Sequence, residues 1–490
     1  MAAFVAQYFW YAFLIVFLVG TALLTRTKFQ RSYIIFLMKT RRGIGFLDRL
    51  ARLAPGAWTF LADFSVLVSF GGLGATYISR HRRPWPFLLV LGILTLVFLL
   101  PVVGPVWTGV FAVLLLGAIA IAERLRATAG YFLLGAVVMA GAVLGLLGGV
   151  SAPAAVIAAI TGAVGIPGLL VSFLAVQAGQ IVFAQSTVPG VSPLLPGVSA
   201  AGEIGFVFPG LNIFIPLWSG LIAIIILLVS HEFSHGILAR VHGIRVRSMG
   251  LLTFGIIPIG AFVEPDEKHL ATKRSEQKMH VYAMGSFANL IVAGLCVLLV
   301  VPASLSLAGL VMPAGVQVET IQDGYPAAAL EPGTVIWAVN GVNVSTVDAY
   351  VAQVANLTPG DAIVLDTDRG RFSLVSVAPP DGSPRGYLGF TLQTKTVPVH
   401  AGQEGLVAFL LFVLSTLNIV FLFNLNIAIV NLLPVLPFDG SKMFEELMQS
   451  FGLGKGHRQA IAKAIVLLVV ALLILNALPL GSLAAAALGG

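Results

Sequence analysis

Apolar residues along this chain gather into runs of about twenty, the length a helix needs to cross the hydrocarbon core of a bilayer. The runs cover about 4–24, 58–78, 86–103, 105–122, 130–150, 153–175, 211–239, 281–302, 405–428 and 457–479. This pattern predicts a polytopic α-helical membrane protein with about 9–10 transmembrane helices. Two stretches break it. Residues 176–210 are less hydrophobic and are punctuated by Pro189, Pro193, Pro196 and Pro209, which predicts an extramembrane loop. Residues 314–398 replace long apolar runs with short alternating ones such as Val316-Gln317-Val318-Glu319-Thr320, separated by Gly and Pro turns, which predicts an inserted soluble β-rich domain. The chain then divides into an N-terminal multi-spanning region (1–175), the loop (176–210), a first part of the membrane core (211–313), the soluble domain (314–398) and a second part of the core (399–490). The role of the N-terminal region is not legible.

Composition sharpens the class. Of 490 residues, 58% are hydrophobic and 10% charged, and the mean hydropathy is +0.98, which excludes both an ordinary soluble enzyme and a disordered chain. The single cysteine, Cys296, excludes an intrachain disulfide and a cysteine zinc cluster. The net charge of +7 concentrates in loops, so the lipid bilayer and not nucleic acid is the expected partner. Residues 25–56 carry eight Lys/Arg against one acid, Asp48, around the apolar patch Tyr33 to Met38, which predicts a cytoplasmic segment lying on the membrane. The first run reads as a retained anchor, because Arg26, Lys28 and Arg31 follow it and no charged segment precedes it. Arg240, Arg245 and Arg247, then Lys268, Lys273, Arg274 and Lys278, put the end of the 211–239 span in the cytoplasm, whereas 314–398, with eight acids against four bases, is expected outside. One conflict remains among the N-terminal runs. If all of them cross, Arg80, Arg82, Arg83, Arg124 and Arg126 fall outside; a re-entrant segment would resolve it.

The chemistry-bearing motif is His231-Glu232-Phe233-Ser234-His235, an HExxH sequence near the cytoplasmic end of an apolar helix. Two histidines four residues apart lie about 6 Å apart along the axis on one helix face, where both imidazoles can hold one Zn²⁺. A water acidified by such an ion can lose its proton to Glu232 as it attacks a carbonyl. Three ionisable groups within five residues of a membrane helix are too costly to be structural filler. A catalytic zinc needs a third protein ligand, and two acids compete for the role. Asp439 lies in the run Asn431 to Gly440, where Pro434 and Pro437 interrupt a helix. Glu264 follows a Gly/Pro-rich segment and could fold back.

At these residues the sequence resembles the site-2 protease family of intramembrane zinc metalloproteases. The resemblance rests on His231-Glu232-Phe233-Ser234-His235-Gly236, on Gly260 to Pro265, on Gly285 to Asn289 and on Asn431 to Gly440, and covers roughly residues 205–480. It implies one Zn²⁺ per chain held by His231, His235 and Asp439, Glu232 as general base, and Asn289 and Asn431 as substrate-positioning residues. It further implies cleavage of transmembrane protein substrates, in a multi-pass protein of the cell membrane with its zinc site towards the cytoplasm. Phe438 and Ser441 stand where the family often has Leu and Gly. Residues 314–398 resemble a PDZ domain inserted in such proteases, with Tyr325 to Gly341 as its turn-and-strand core and Tyr387-Leu388-Gly389-Phe390 as the peptide carboxylate-binding loop. A peptide ligand and a plain spacer role stand equal for it. Ile256 to Pro265 reads either as a re-entrant strand able to pair with an unwound substrate or as a simple membrane-dipping loop, and the sequence does not choose between them. The competing class is a catalytically silent membrane receptor sensing peptides through the PDZ-like domain, against which the intact HExxH and Asp439 argue. A transporter is disfavoured because Asp63 is the only acid in the runs between 58 and 175.

Overall fold

The computed structural model describes residues 2–489 apart from 28, 123, 126, 149–150, 200–201, 212, 323 and 380–383. Lys28, Arg126, Asp323 and Asp381, which entered the charge pattern above, lie outside the described residues. The chain folds as two units, one of Met1–Val297 with Asn418–Gly490 and one of Leu298–Leu417.

In chain order, α1 (Ala2–Thr25) leads into a hairpin of β1 (Gln30–Ser32) and β2 (Ile35–Thr40), then α2 (Ile44–Leu53) and α3 (Pro55–Ser79). Four more helices follow: α4 (Trp85–Ala122), α5 (Ala127–Leu146), α6 (Ala152–Val164) and α7 (Ile166–Phe183). A small antiparallel sheet of β3 (Leu195–Val198), β4 (Ile204–Phe208) and β5 (Ile213–Pro216) precedes α8 (Leu217–Val241), β6 (Val246–Phe254), β7 (Ile257–Pro265), α9 (Glu267–Ala271) and α10 (Ser275–Ala308). The second unit holds β8 (Val311–Ile321), β9 (Val335–Val339), β10 (Val342–Asn343), α11 (Val347–Val354), β11 (Ala362–Thr367), β12 (Gly370–Val375) and β13 (Phe390–Pro398). After it come α12 (Glu404–Asn431), α13 (Asp439–Ser450) and α14 (Lys455–Gly489).

Among the described residues, eight helices are long and apolar enough to cross a membrane, and three shorter apolar helices accompany them. The expected runs map onto these helices with one change. The runs 86–103 and 105–122 are the two arms of α4, which breaks where expected: Gly104, between Pro101 and Pro105, has non-helical backbone angles with φ +77°. The run 153–175 is instead α6, only 13 residues long, and the start of α7, divided at Gly165. Gly165 has φ +79°, and any Cβ there would strike the backbone of Ser69 and Phe70 in α3. Residues 176–210 are likewise not a plain loop. They finish α7 and begin the β3–β5 sheet, whose four- and five-residue strands were hidden by Pro196, Gly197 and Gly205.

The strands beside α8 hold the largest topological surprise. The segment around Tyr33 to Met38 is not an isolated patch: Ile35–Thr40 is β2, paired antiparallel with β6 from Ile35↔Phe254 to Thr40↔Met249. The resulting sheet has the order β1-β2-β6-β7, so β7 is an edge strand held by β6 alone. Behind it, α2 turns Leu47 and Ala51 inward while Asp48 pairs with Arg240 at the end of α8. Leu67 of α3, Leu134 of α5, Leu238 of α8, Met279 and Met284 of α10 and Leu447 of α13 belong to one continuous buried core. The second unit has its own core around Val316, Val318, Ile336, Val339, Ile363 and Leu365, between a sheet of order β12-β11-β9-β8-β13 and α11.

Candidate metal centre

α8 carries an almost unbroken apolar sequence up to Ser230, as a membrane-crossing helix requires. The histidines, one turn apart, point the same way. His231 Nε2 and His235 Nε2 lie 3.1 Å apart, and both are buried. The third group arrives from the other end of the unit. α12 ends at Asn431, Pro434 and Pro437 forbid its continuation, and the chain turns to restart as α13 at Asp439. Asp439 Oδ2 then sits 3.2 Å from His231 Nε2 and 3.0 Å from His235 Nε2.

These three atoms fit a divalent metal. Ligands each about 2.0–2.1 Å from one tetrahedral ion lie roughly 3.3 Å from one another, close to the separations found here. The protonation pattern agrees at His235, whose Nδ1 lies 2.6 Å from the Val281 carbonyl oxygen. A carbonyl only accepts, so Nδ1 carries the proton and Nε2 of the neutral ring presents a lone pair to the cluster. Asn289 reaches the other ring, its Nδ2 3.3 Å from His231 Nδ1, while its Oδ1 accepts from the Ser230 hydroxyl at 2.8 Å.

α10 supplies this support through one helical stripe. Val281, Gly285 and Asn289 recur every four residues and therefore face α8 together. A Cβ on Gly285 would collide with the imidazoles of His235 and His231, so only glycine allows α10 this close.

Glu232 lies beside the ligands on the wall of a cleft of about 720 Å³, which His231, His235 and Asp439 also line. Its Oε2 accepts a hydrogen bond of 2.9 Å from the Val263 amide of β7. That amide therefore points away from β6, along the free edge of the sheet, and by the two-residue period of a strand the Ala261 amide points the same way. Glu264 lines the cleft but is not in the cluster: its carboxylate accepts from the Ser248 hydroxyl at 2.5 Å and from Lys39 Nζ at 3.1 Å. Those two bonds hold its carboxyl below the ordinary carboxylate range.

Of the residues singled out from sequence, His231, Glu232, His235 and Asp439 come together. Asn431 lines the same cleft, at the end of α12. Asn289 does not line it; it is fully buried and touches the ligand His231. Sequence reasoning did not find the roles of Gly285, Ser230, the Val281 carbonyl or the Val263 amide. Only Gly285 left a signal, its spacing of four from Asn289; a backbone group leaves none. In the second unit, Leu388 is a core residue, Gly389 has φ +87°, and Phe390 opens β13. The carbonyls of Leu388 and Gly389 accept from the amides of Ala327 and Gln322, and the Tyr387 hydroxyl donates to Gln322.

A family model described as peptidase family M50 matches residues 219–478, more than half of the chain, and the chain belongs to that family. Peptidases of this family are metallopeptidases, zinc-dependent in general. Over 261 residues the chain is 28% identical to an uncharacterized protein of Methanocaldococcus jannaschii, an alignment that takes in 51% of this chain and 62% of that protein. The match thus spans less than two thirds of the relative's length. The N-terminal helices up to α7 lie outside the family match.

Proposed function

We propose that the chain is a zinc metalloendopeptidase of the site-2 type, hydrolysing a peptide bond within or beside the transmembrane segment of membrane-protein substrates. The observation that carries this reading is the convergence of His231 and His235 of the apolar helix α8 with Asp439 at the start of α13, with Glu232 and the free edge of β7 on the wall of the same cleft. A Zn²⁺ held there would supply Lewis acidity, polarising the scissile carbonyl and acidifying water. The protein's own groups do the rest. Glu232 takes the proton of the attacking water and can return it to the leaving amine. The Ala261 amide on the edge of β7 offers a hydrogen bond to an unwound substrate, compensating the amide pairing a transmembrane helix gives up when it opens. Val281 and Asn289 keep the two imidazoles oriented.

The surrounding charge supports a cytoplasmic position for the site in a cell membrane, since Arg240, Arg245 and Arg247 follow α8 directly. For the second unit, a PDZ-like peptide-binding role draws support from β13, which ends its sheet and is tied to α11 by the bond between the Val347 amide and the Thr394 hydroxyl. The test is cleavage of a reporter transmembrane substrate by the purified full-length protein in vesicles. Cleavage inside the apolar segment, abolished by chelator and restored by Zn²⁺, is the expected result. Chelator-resistant cleavage, or cleavage of soluble peptides alone, would overturn the reading.

A further inference from the structure

On the flank of α10 turned towards α3 lies a second group of ionisable side chains that the protease chemistry does not use. Asp63 of α3 and Glu276 and His280 of α10 bring ligand-type atoms within 4.8 Å of one another. Arg82 occupies the space between the acids, 3.1 Å from Asp63 Oδ2 and 2.9 Å from Glu276 Oε1. A metal would have to displace that guanidinium, so the cluster is a charge-compensated clamp. Its inner end is His280. The Nε2 of that ring lies 2.8 Å from Asp63 Oδ1, and its Nδ1 lies 3.1 Å from Nε2 of His242, the residue capping α8. Asp63 and His280 are both almost completely buried. Phe287, further along this flank, meets Phe64 of α3 with ring centroids 5.7 Å apart.

α10 thus has two working flanks. Glu276, His280 and Phe287 face α3, while Val281, Gly285 and Asn289 face the metal centre. His280 and Val281 are consecutive, so the ring gripped by Asp63 and the carbonyl gripped by His235 belong to one turn of one helix. We infer that Asp63 is a positioning residue for the metal centre: by holding His280 it fixes the rotation of α10, and with it the Val281 carbonyl and the Gly285 backbone that set the His235 imidazole. Magnitudes support this coupling. A rotation of about 20° moves backbone atoms roughly 0.8 Å at the helix radius, enough to stretch a contact of 2.6 Å past the ordinary hydrogen-bond length. The inference rests on the metalloprotease reading and gives the N-terminal region, outside the family match, a part in the active centre.

The test uses the full-length protein and two readouts besides activity: zinc affinity by competition with a chromophoric chelator, and the visible absorption of the Co²⁺-loaded protein. Asp63→Ala is expected to bind zinc about tenfold more weakly and to shift the Co²⁺ bands, as loss of an outer-shell support does. Asp63→Asn, whose amide oxygen still accepts from His280, should lose about threefold. Leu134→Ala is the structural control, since Leu134 is buried in α5 beside Leu88 and Leu115 of α4; it should lower the melting temperature and leave zinc affinity and bands unchanged. Wild-type affinity and bands in Asp63→Ala, or an equal loss of affinity in Leu134→Ala, would overturn the inference. Should Asp63→Ala not fold, Asp63→Asn decides: weaker binding with shifted bands supports the inference, and wild-type behaviour overturns it. Wild-type protein that bound no zinc would instead remove the reading beneath it.

Discussion

α3 and α8 are both apolar segments of 25 residues, α3 broken at Gly71, and each carries an acid, Asp63 in one and Glu232 in the other. In α3 the most apolar window is 78% buried within the protein; in α8 it is 39%. The acid of α3 is closed in, compensated by Arg82 and bonded to His280. The acid of α8 opens onto a cleft, and the two histidines beside it turn their Nε2 atoms to a shared point with Asp439. The difference separates two uses of a buried charge. A closed cluster holds helices in register, and it is tolerated because every member is paired. An open one remains available to a metal and a substrate, and it needs support from outside its own helix to stay in place.

Four substitutions sharpen or break that contrast, from the largest expected effect to the smallest. His235→Ala should abolish metal binding and cleavage while the melting temperature of the metal-free protein changes little; retained cleavage with normal zinc content would mean that α8 is not the open helix. Arg82→Leu should act the other way, leaving Asp63 and Glu276 uncompensated and costing about 2–3 kcal/mol of stability, below the range for a fully buried pair because the guanidinium is half-exposed. Thermal or denaturant unfolding in detergent measures it, and an unchanged midpoint would show that the clamp does not hold. Gly285→Ala places a methyl group against His235 and His231, for which overpacking costs about 1–3 kcal/mol, read as weaker zinc binding by chelator competition. Lys39→Ala removes a half-exposed ion pair to Glu264 and should cost under about 1 kcal/mol, with zinc content unaltered. A loss of zinc there would bring Glu264 back as a ligand.

The same two helices explain what the sequence made legible. His231, Glu232 and His235 sit at a spacing that one helix turn converts directly into a shared face, so their chemistry could be read without knowing the fold. Asp439 was reachable because two prolines and a carboxylate in an apolar context are costly unless used, yet only the structure separates it from Glu264 by giving that acid Ser248 and Lys39 as partners. Asp63 stood out as the lone acid of its apolar runs, but nothing local gave its role. Its partner His280 is 217 residues away, and Arg82 lies past the end of its helix. The pairing of β2 with β6 was hidden for a similar reason: more than 200 residues separate Ile35 from Phe254, and a patch such as Tyr33 to Met38 has the same hydrophobicity on a membrane surface as in a sheet. The break at Gly104 was legible from its flanking prolines, whereas the run 153–175 hid the division at Gly165, because hydropathy averages over a backbone break.

The most direct test of the central claim is the zinc content and proteolytic activity of Glu232→Gln measured on the same preparation. Glu232 lies beside the three ligands and bonds the Val263 amide, so its amide replacement should leave the ion in place while removing the base that accepts the water proton. The account predicts one zinc per chain and no detectable cleavage of a reporter transmembrane substrate. A Glu232→Gln protein that cleaves at the wild-type rate, or one that has lost its zinc, would contradict it.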